Sequence, residues 1–592
     1  MTAWTWGPAL SGTGARFRLW APAQDRLVLR LDGREHVMQA LGEGWFEVEA
    51  EARPGADYAF VLADGAVVPD PAARAQAGEV TGPSRLVDPD AYRGRVGWVG
   101  RPWADAVILE AHIGTFTEGG TFRAAIEALP HLVETGITAL EIMPVGQFAG
   151  VRGWGYDGVL PYAPHPAYGS PDELKALIDA AHGHGLMVLL DVVYNHFGPE
   201  GNYLSAYAPD FFDPERHTPW GAAIAYERPP VRAFFVENAL YWLDEFRLDG
   251  LRLDAADHVR DPKSEKEILV EIAERVRAAH PGKHIHLATE DNRNITRLHE
   301  RGEDGALRLY TAEWNDDFHN VAHAVATGEA EGYYVDFAEG HWSKLARALA
   351  EGFAYQGEPS AHGGGEARGE ASGHLPPLAF VDFLQNHDQT GNRAFGERLL
   401  TLAPEPMVRA LTAILLLSPH VPLLFMGEEW GETRPFAFFT DFHGELADAV
   451  REGRRREFAQ FVAFQDPVLR ASIPDPNEAA TFEASRIDWS RRDSEGGRRW
   501  RDFVRGLLAV RQRDIVPHLA GAPGGGGRIL AADDGVIAVD WRLDGAELRL
   551  RANLSGGEVA PPPAAGRLLH GEDGGTLAAF SVAVRLDEAG AR

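Results

Sequence analysis

The chain has no cysteine. Disulfides, thiolate catalysis and cysteine-ligated metals are therefore excluded. It also lacks any apolar run long enough to cross a bilayer. The opening residues Met1-Thr2-Ala3-Trp4 carry neither a basic region nor an apolar h-region, so no secretory signal is expected and the cytoplasm is the expected compartment. Positive charge is scarce: Lys+Arg total 57 against 87 Asp+Glu, a net charge of −30. A surface this acidic repels phosphate backbones, so neither nucleic acid nor a membrane is an expected partner, and solubility accounts for the charge. Lysine is sparse beside arginine, which fits genomic base composition better than function.

What is present is ordinary for a globular protein, with 45% hydrophobic and 24% charged residues. At 592 residues the chain is too long for one core, so several domains are expected. The 15 Trp and 14 Tyr could pack against the apolar faces of sugars, although most aromatics in any chain are core.

Residues 1–97 read as a β-sandwich. Arg16-Phe17-Arg18-Leu19-Trp20 and Arg26-Leu27-Val28-Leu29-Arg30-Leu31 alternate polar with apolar, and Gly, Pro and Asp turns separate the runs. Strand and helix patterns then alternate over 98–520. Apolar runs at 106–110, 137–143, 186–193, 250–254, 284–289, 307–312, 379–384 and 421–426 predict eight strands. Thr121 predicts a helix start and Gly136 its stop; Ser170-Pro171-Asp172-Glu173 is a capping box. Further helices are predicted over 236–246, 265–279 and 500–511. The run at 186–193 is apolar on both faces, which predicts a parallel sheet. Eight such units predict a (β/α)8 barrel. A doubly wound sheet is the alternative, but the first βα turn has no phosphate-binding glycine fingerprint. Residues 357–377 read as a mobile surface loop and 521–527 as a linker; 521–592 then read as a C-terminal β-sandwich.

Polar clusters close four of the predicted strands: Asp191-Val192-Val193-Tyr194-Asn195-His196, Gly250-Leu251-Arg252-Leu253-Asp254, Ala288-Thr289-Glu290-Asp291 and Leu384-Gln385-Asn386-His387-Asp388. In a barrel these ends share one face. A lone Asp after a strand is usually a helix cap, but four such clusters are hard to explain as caps. Breaking an acetal needs an acid on the leaving oxygen and a carboxylate across the ring, and neighbouring strand ends can supply both. Arg252, two residues before Asp254, projects to the same side and would keep Asp254 ionised and nucleophilic. Glu290 must rest protonated, so its pKa is expected to be raised. Asp388 would offset the positive charge of the transition state.

The four clusters resemble the signature regions of the α-amylase superfamily, glycoside hydrolase family 13, and the resemblance covers the barrel. It implies Asp254 as nucleophile, Glu290 as acid/base, Asp388 as transition-state stabiliser, and Asp191, His196, Arg252 and His387 as ligands of the sugar at the cleavage point. Tyr156, in Gly153-Trp154-Gly155-Tyr156-Asp157-Gly158, matches the aromatic that stacks under that sugar. Asp257 and Asn386 complete this set of substrate contacts. Phe17-Arg18-Leu19-Trp20-Ala21-Pro22 is similar to the carbohydrate-binding-module-like sandwich before the barrel in branching, debranching and trehalose-releasing members.

Finer features resemble the trehalose-releasing subgroup: Glu110-Ala111-His112-Ile113-Gly114-Thr115-Phe116-Thr117, Trp314-Asn315-Asp316-Asp317-Phe318-His319-Asn320 and Leu424-Phe425-Met426-Gly427-Glu428-Glu429-Trp430. Ala111 stands where a bulkier residue is commoner. This resemblance implies hydrolysis of the α-1,4 bond next to the terminal trehalose of a maltooligosyl trehalose, with Asn315, Asp316, Asp317 and His319 among the substrate contacts, although that cluster could also cap a helix. It also implies a partner synthase that makes the substrate. Glucan branching or debranching, and a non-catalytic glucan-binding protein, are the alternatives. Asn195, a calcium ligand in many α-amylases, has no second dense acidic loop to pair with, so a structural hydrogen bond is expected there, with no metal and no cofactor. Trp154 and Trp430 fit packing as well as sugar contact. Arg454-Arg455-Arg456 reads as a solvated helix face.

Overall fold

Eight short parallel strands, buried along their whole length, close into a barrel. They are β1 (Ile108–Ala111), β2 (Ala139–Ile142), β3 (Met187–Val192), β4 (Gly250–Leu253), β5 (His286–Thr289), β6 (Ala312–Trp314), β7 (Phe380–Phe383) and β8 (Val421–Phe425). This is a computed structural model that describes residues 4–459 and 461–588; the reading of the first three residues lies outside it. β8 pairs with β1 through Ile108↔Leu423, which leaves no sheet edge.

Strand periodicity sorts the barrel residues into two sets. Ile108, Ala139, Met187, Leu189, Ala288, Trp314, Val381, Phe383 and Leu423 pack into one cluster inside the barrel. Leu109, Leu140, Val188, Leu190, Leu251 and Leu424 belong to the layer under the surrounding helices. The inner set, continued by period two, carries Glu110, Glu141, Asp191 and Arg252 toward the barrel mouth.

The connecting helices start and stop where local chemistry dictates. Thr121 accepts a hydrogen bond from the Ala124 amide at 3.2 Å and starts Phe122–Thr135, which Gly136 ends in the left-handed region at φ 105°. Ser170 and Glu173 form the reciprocal capping box of Pro171–Gly183. The sixth strand departs from its predicted place at 307–312. Leu307 instead bridges Arg301 locally, and Arg308 is exposed. That alternating stretch suits a one-sided ribbon; the run sealed on both faces is Tyr310–Trp314, and the strand forms at its end.

The N-terminal domain has two antiparallel sheets. One orders Ala9–Ser11, Gly14–Trp20, Trp45–Glu51 and Gln39–Gly42; the other contains Arg34–Val37, Val28–Leu31, Asp57–Val61 and Val67–Val68. Trp6, Trp20 and Trp45 are buried rather than offered as sugar platforms. Trp6 meets Phe234 edge-on at 5.1 Å and donates to Pro230 O at 2.8 Å, and Glu237 accepts from the Thr5 and Trp6 amides. The domain is thus fastened to the helix Pro229–Glu245 that precedes β4.

The C-terminal domain is one five-stranded antiparallel sheet, Gly527–Asp533, Val536–Arg542, Ala546–Asn553, Ser581–Glu588 and Arg567–His570. Barrel helices take the place of a second sheet, with Trp541 donating to Leu349 O at 2.8 Å. The segment 357–377 is tied down, not free. It forms a small hairpin, Glu358–Pro359 with Ala367–Arg368. Arg368 reaches Asp317 at 2.8 Å, and Glu370 accepts from the Thr296 amide at 2.9 Å. Among the described residues no helix is long and apolar enough to cross a membrane.

Candidate active site

The mouth of the barrel is organised around one buried guanidinium. Arg252, on β4, donates through Nη1 to Asp191 Oδ2 at 2.6 Å and to Asp254 Oδ1 at 2.8 Å, and through Nη2 to Glu290 Oε2 at 2.5 Å. Its guanidinium carbon lies 4.3 Å from the centre of the Trp314 ring. Register explains the gathering: Asp191 on β3 pairs with Arg252 on β4, and Asp254 and Glu290 follow directly after β4 and β5.

Asp254 is held from its other side by Asn195, whose Nδ2 donates to Oδ2 and to the backbone carbonyl, both at 2.9 Å. This is the structural hydrogen bond expected of Asn195. Ala255 follows with φ 40°, a left-handed conformation costly for any residue with a Cβ, and its amide donates to Glu290 Oε2 at 3.1 Å. Burial pushes Glu290 well above the usual carboxyl range. Arg252 opposes this, but Asp254, Asp316 and Asp388 add negative charge around it. The two carboxyls thus share the Arg252 guanidinium, and burial beside three further acids favours the protonated form of Glu290. Asp388 is also raised, by burial first and then by Asp254, while His387 lowers it.

Asp191 is raised to about 6 by burial despite Arg252, and it accepts from the Tyr156 hydroxyl at 2.6 Å. The Tyr156 ring stacks on His387 at 4.9 Å and 21°. His387 Nδ1 is hydrogen-bonded to Glu110, which also accepts from the His387 amide at 2.9 Å. Burial lowers the His387 pKa, but the Glu110 carboxylate outweighs it and the net shift is upward. His196 is bonded to Asn195 and stacks at 4.5 Å on Trp220, a ring 48% exposed on the hairpin Phe212–Thr218/Gly221–Ile224. Asp257 is half-buried, 3.6 Å from His258.

Several predicted contacts do not reach the cleft. The segment after β6 starts the helix Asp316–Thr327, and only Asp316 is part-exposed at its head. Burial and then Asp388 raise Asp316 to about 7, and it accepts from Gln389 Nε2 at 3.1 Å. Asn315 caps the helix and donates to Asp382 Oδ1 at 2.7 Å. His319 spends both ring nitrogens on Leu384 O and the Tyr334 hydroxyl. Asn386 caps the helix His387–Gly391. Asp317 is wholly buried, accepts on Oδ2 from Asn294 and from the Ala354 and Tyr355 amides, and is ion-paired with Arg368. Removing it strands three donors and leaves Arg368 without its counter-charge, so Asp317→Ala is expected to lower stability by about 3–5 kcal/mol, read as a lower urea midpoint with unchanged slope. A midpoint equal to wild type would contradict this placement.

Sequence reasoning missed Glu110, Trp314 and Trp220 as neighbours of the site. A charged residue inside an otherwise apolar strand is the signal that could have found Glu110. Trp154 and Trp430 are buried packing residues. Among the described residues no group of three or more His, Cys, Asp or Glu could hold a metal ion.

Comparison with known proteins agrees with this geometry. Residues 83–216 match the family "Alpha amylase, catalytic domain", and 523–589 match a "Domain of unknown function (DUF3459)". A malto-oligosyltrehalose trehalohydrolase of Deinococcus radiodurans is 43% identical over 86% of this chain and 83% of its own length. One from Arthrobacter ramosus is 37% identical over 97% of this chain and 98% of its own. A crystal structure of a provisionally assigned alpha amylase from Salmonella typhimurium superimposes with a TM-score of 0.96 at 54% identity, covering 99% of this chain and all of that one. With identity this high over nearly the whole of both chains, and with the acids gathered at the mouth of the barrel, the chain belongs to the malto-oligosyltrehalose trehalohydrolase family.

Proposed function

We propose that this enzyme hydrolyses the α-1,4-glucosidic bond next to the terminal trehalose of a maltooligosyl trehalose, releasing trehalose and a maltooligosaccharide. The observation that carries the chemistry is the single Arg252 guanidinium bonded to both Asp254 and Glu290. Family membership carries the choice of bond.

Glu290 gives its proton to the glycosidic oxygen as that bond breaks, and Asp254 attacks the anomeric carbon from the opposite face. Trehalose leaves, and a glycosyl ester on Asp254 remains. Glu290, now a carboxylate, takes a proton from water; the resulting hydroxide-like oxygen opens the ester and frees Asp254. Asp388 faces the positive charge that develops on the sugar in both steps. Tyr156 stacks under that sugar, and Asp191, His196, Arg252 and His387 hold its hydroxyls. Asp257 and Asp316 add further contacts to the substrate. The enzyme acts in the cytoplasm on the product of a maltooligosyltrehalose synthase.

Incubation with maltooligosyl trehalose should release free trehalose, with the new reducing end appearing first as the α-anomer by NMR. Incubation with amylose should create no branch points. Branch points without trehalose would favour glucan branching instead, and turnover of neither substrate would favour a glucan-binding role.

A further inference from the structure

Of the three consecutive arginines 454–456, only the first is buried, and this corrects their reading as a solvated face. Arg454 lies on the helix Gly444–Phe458, outside the barrel strands. It is 7% exposed, between the rings of Phe438 at 5.5 Å and Phe458 at 4.7 Å. Its carboxylate neighbour, Glu457 at 3.3 Å, is itself half in solvent at 51% exposure. A guanidinium buried this far is expensive unless its protons are used. Its hydrogen bonds run toward the catalytic loop. Nη2 donates to Gly391 O at 2.6 Å and to Arg393 O at 3.0 Å, and Nη1 lies 3.4 Å from Asn392 Oδ1.

These are the residues that end the short helix His387–Gly391, whose first turn holds Asp388. Asn392 then passes the constraint on: its Nδ2 donates to Asp388 Oδ1 at 2.5 Å. The Asn386 side chain accepts from the Asp388 amide at 2.8 Å. Asp388 Oδ1 is thus engaged, and among the described residues no donor reaches Oδ2.

We propose that Arg454 is a positioning residue: by gripping the carbonyls of Gly391 and Arg393 and orienting the Asn392 amide, it fixes the Asp388 carboxylate toward the sugar. The idea rests on the role given above to Asp388. An amide side chain free to rotate offers oxygen or nitrogen alike. The guanidinium beside Asn392 Oδ1 breaks that symmetry, because only the oxygen can face a donor. The nitrogen is thereby turned to Asp388. Transition-state stabilisation of this kind depends on donors and charges fixed before the reaction starts, so a loose Asp388 would reduce the rate of the chemical step more than substrate binding.

The test is steady-state kinetics on maltooligosyl trehalose with Arg454→Met, Arg454→Lys, Asn392→Ala and the double variant Arg454→Met/Asn392→Ala. Arg454→Met keeps the aliphatic stem between the two rings and should lower kcat about tenfold or more, with KM within about twofold of wild type. Arg454→Lys should recover part of kcat. The double variant should lose less than the product of the two single losses, since the Asn392 amide is a link that both share. Arg456→Ala, on the exposed side of the same helix, should match wild type. Thermal unfolding of each variant separates a misfolded sample from a mispositioned carboxylate, and Asn392→Ala tests the second link should Arg454→Met fold poorly. A kcat of Arg454→Met within twofold of wild type, or independent multiplicative losses in the double variant, overturns the relay. Asp388→Asn distinguishes the two levels: if it is inactive while Arg454→Met is normal, the relay alone fails; if it is active, the role of Asp388 fails.

Discussion

Asp254→Asn is expected to lower kcat on maltooligosyl trehalose by on the order of 10⁴-fold or more, about 5.5 kcal/mol at the barrier. The amide cannot form the ester. It also cannot satisfy its own surroundings. Oδ1 faces Arg252 Nη1 and Oδ2 faces Asn195 Nδ2, both donors, and an amide offers one acceptor oxygen for two sites that each need one. The side chain must therefore turn its nitrogen against a donor at one end, and the guanidinium loses a counter-charge. A glycosyl fluoride fluorinated on the ring, which forms the ester readily and hydrolyses it slowly, should add covalently to the wild type and not to the variant, by intact mass. Residual kcat within tenfold of wild type, or an adduct on the variant, would remove Asp254 from its role.

Glu290→Gln should behave differently. On the natural substrate the departing trehalose oxygen needs a proton, and the loss should be about 10²–10⁴-fold. A glucosyl fluoride needs little protonic help to depart, so its first step should be much less affected. The pH profile separates the residues further. Glu290 acts as an acid, and burial among Asp254, Asp316 and Asp388 raises its pKa. The proton is present below that raised value, so wild-type kcat/KM should fall as pH rises through it. In Glu290→Gln this alkaline limb should vanish. A variant that keeps the limb would assign it to another group.

Much of this is legible in the sequence alone because burial on both faces leaves a plain signature. β3 is six residues of almost unbroken apolar sequence, and only a strand covered on both sides tolerates that in a barrel. The acids proposed as catalytic were readable because they interrupt such runs at one end. Residues 315–319 were only partly readable. The motif fixes their identities, but a helix starting at Asp316 turns successive side chains about a cylinder, so Asp316 stays part-exposed while Asp317 and His319 point into protein. Which member of a polar cluster faces the substrate depends on the angle at which that helix leaves the strand, and tertiary packing sets the angle. Arg454 shows the reverse error. Three arginines in a charged helix suggest solvent, yet Phe458 lies four residues on, on the same face, and that spacing was the available sign of burial. The sixth strand slipped because alternation in 307–309 marks a ribbon with one wet side.

The fastening of the N-terminal sheets to the helix Pro229–Glu245 also bears on how the chain is made. Synthesis proceeds from the N-terminus, so the sandwich exists before the barrel half that it grips. Until residues 211–237 emerge from the ribosome, Trp6 lacks Phe211, Phe234 and Glu237, and an apolar face waits uncovered. The helix Pro229–Glu245 thus meets a surface made from residues synthesised well before it. That surface lies beside the helix leading into β4, which carries Arg252. The sandwich can therefore serve as a template that sets where the fourth unit lands before the ring of strands closes.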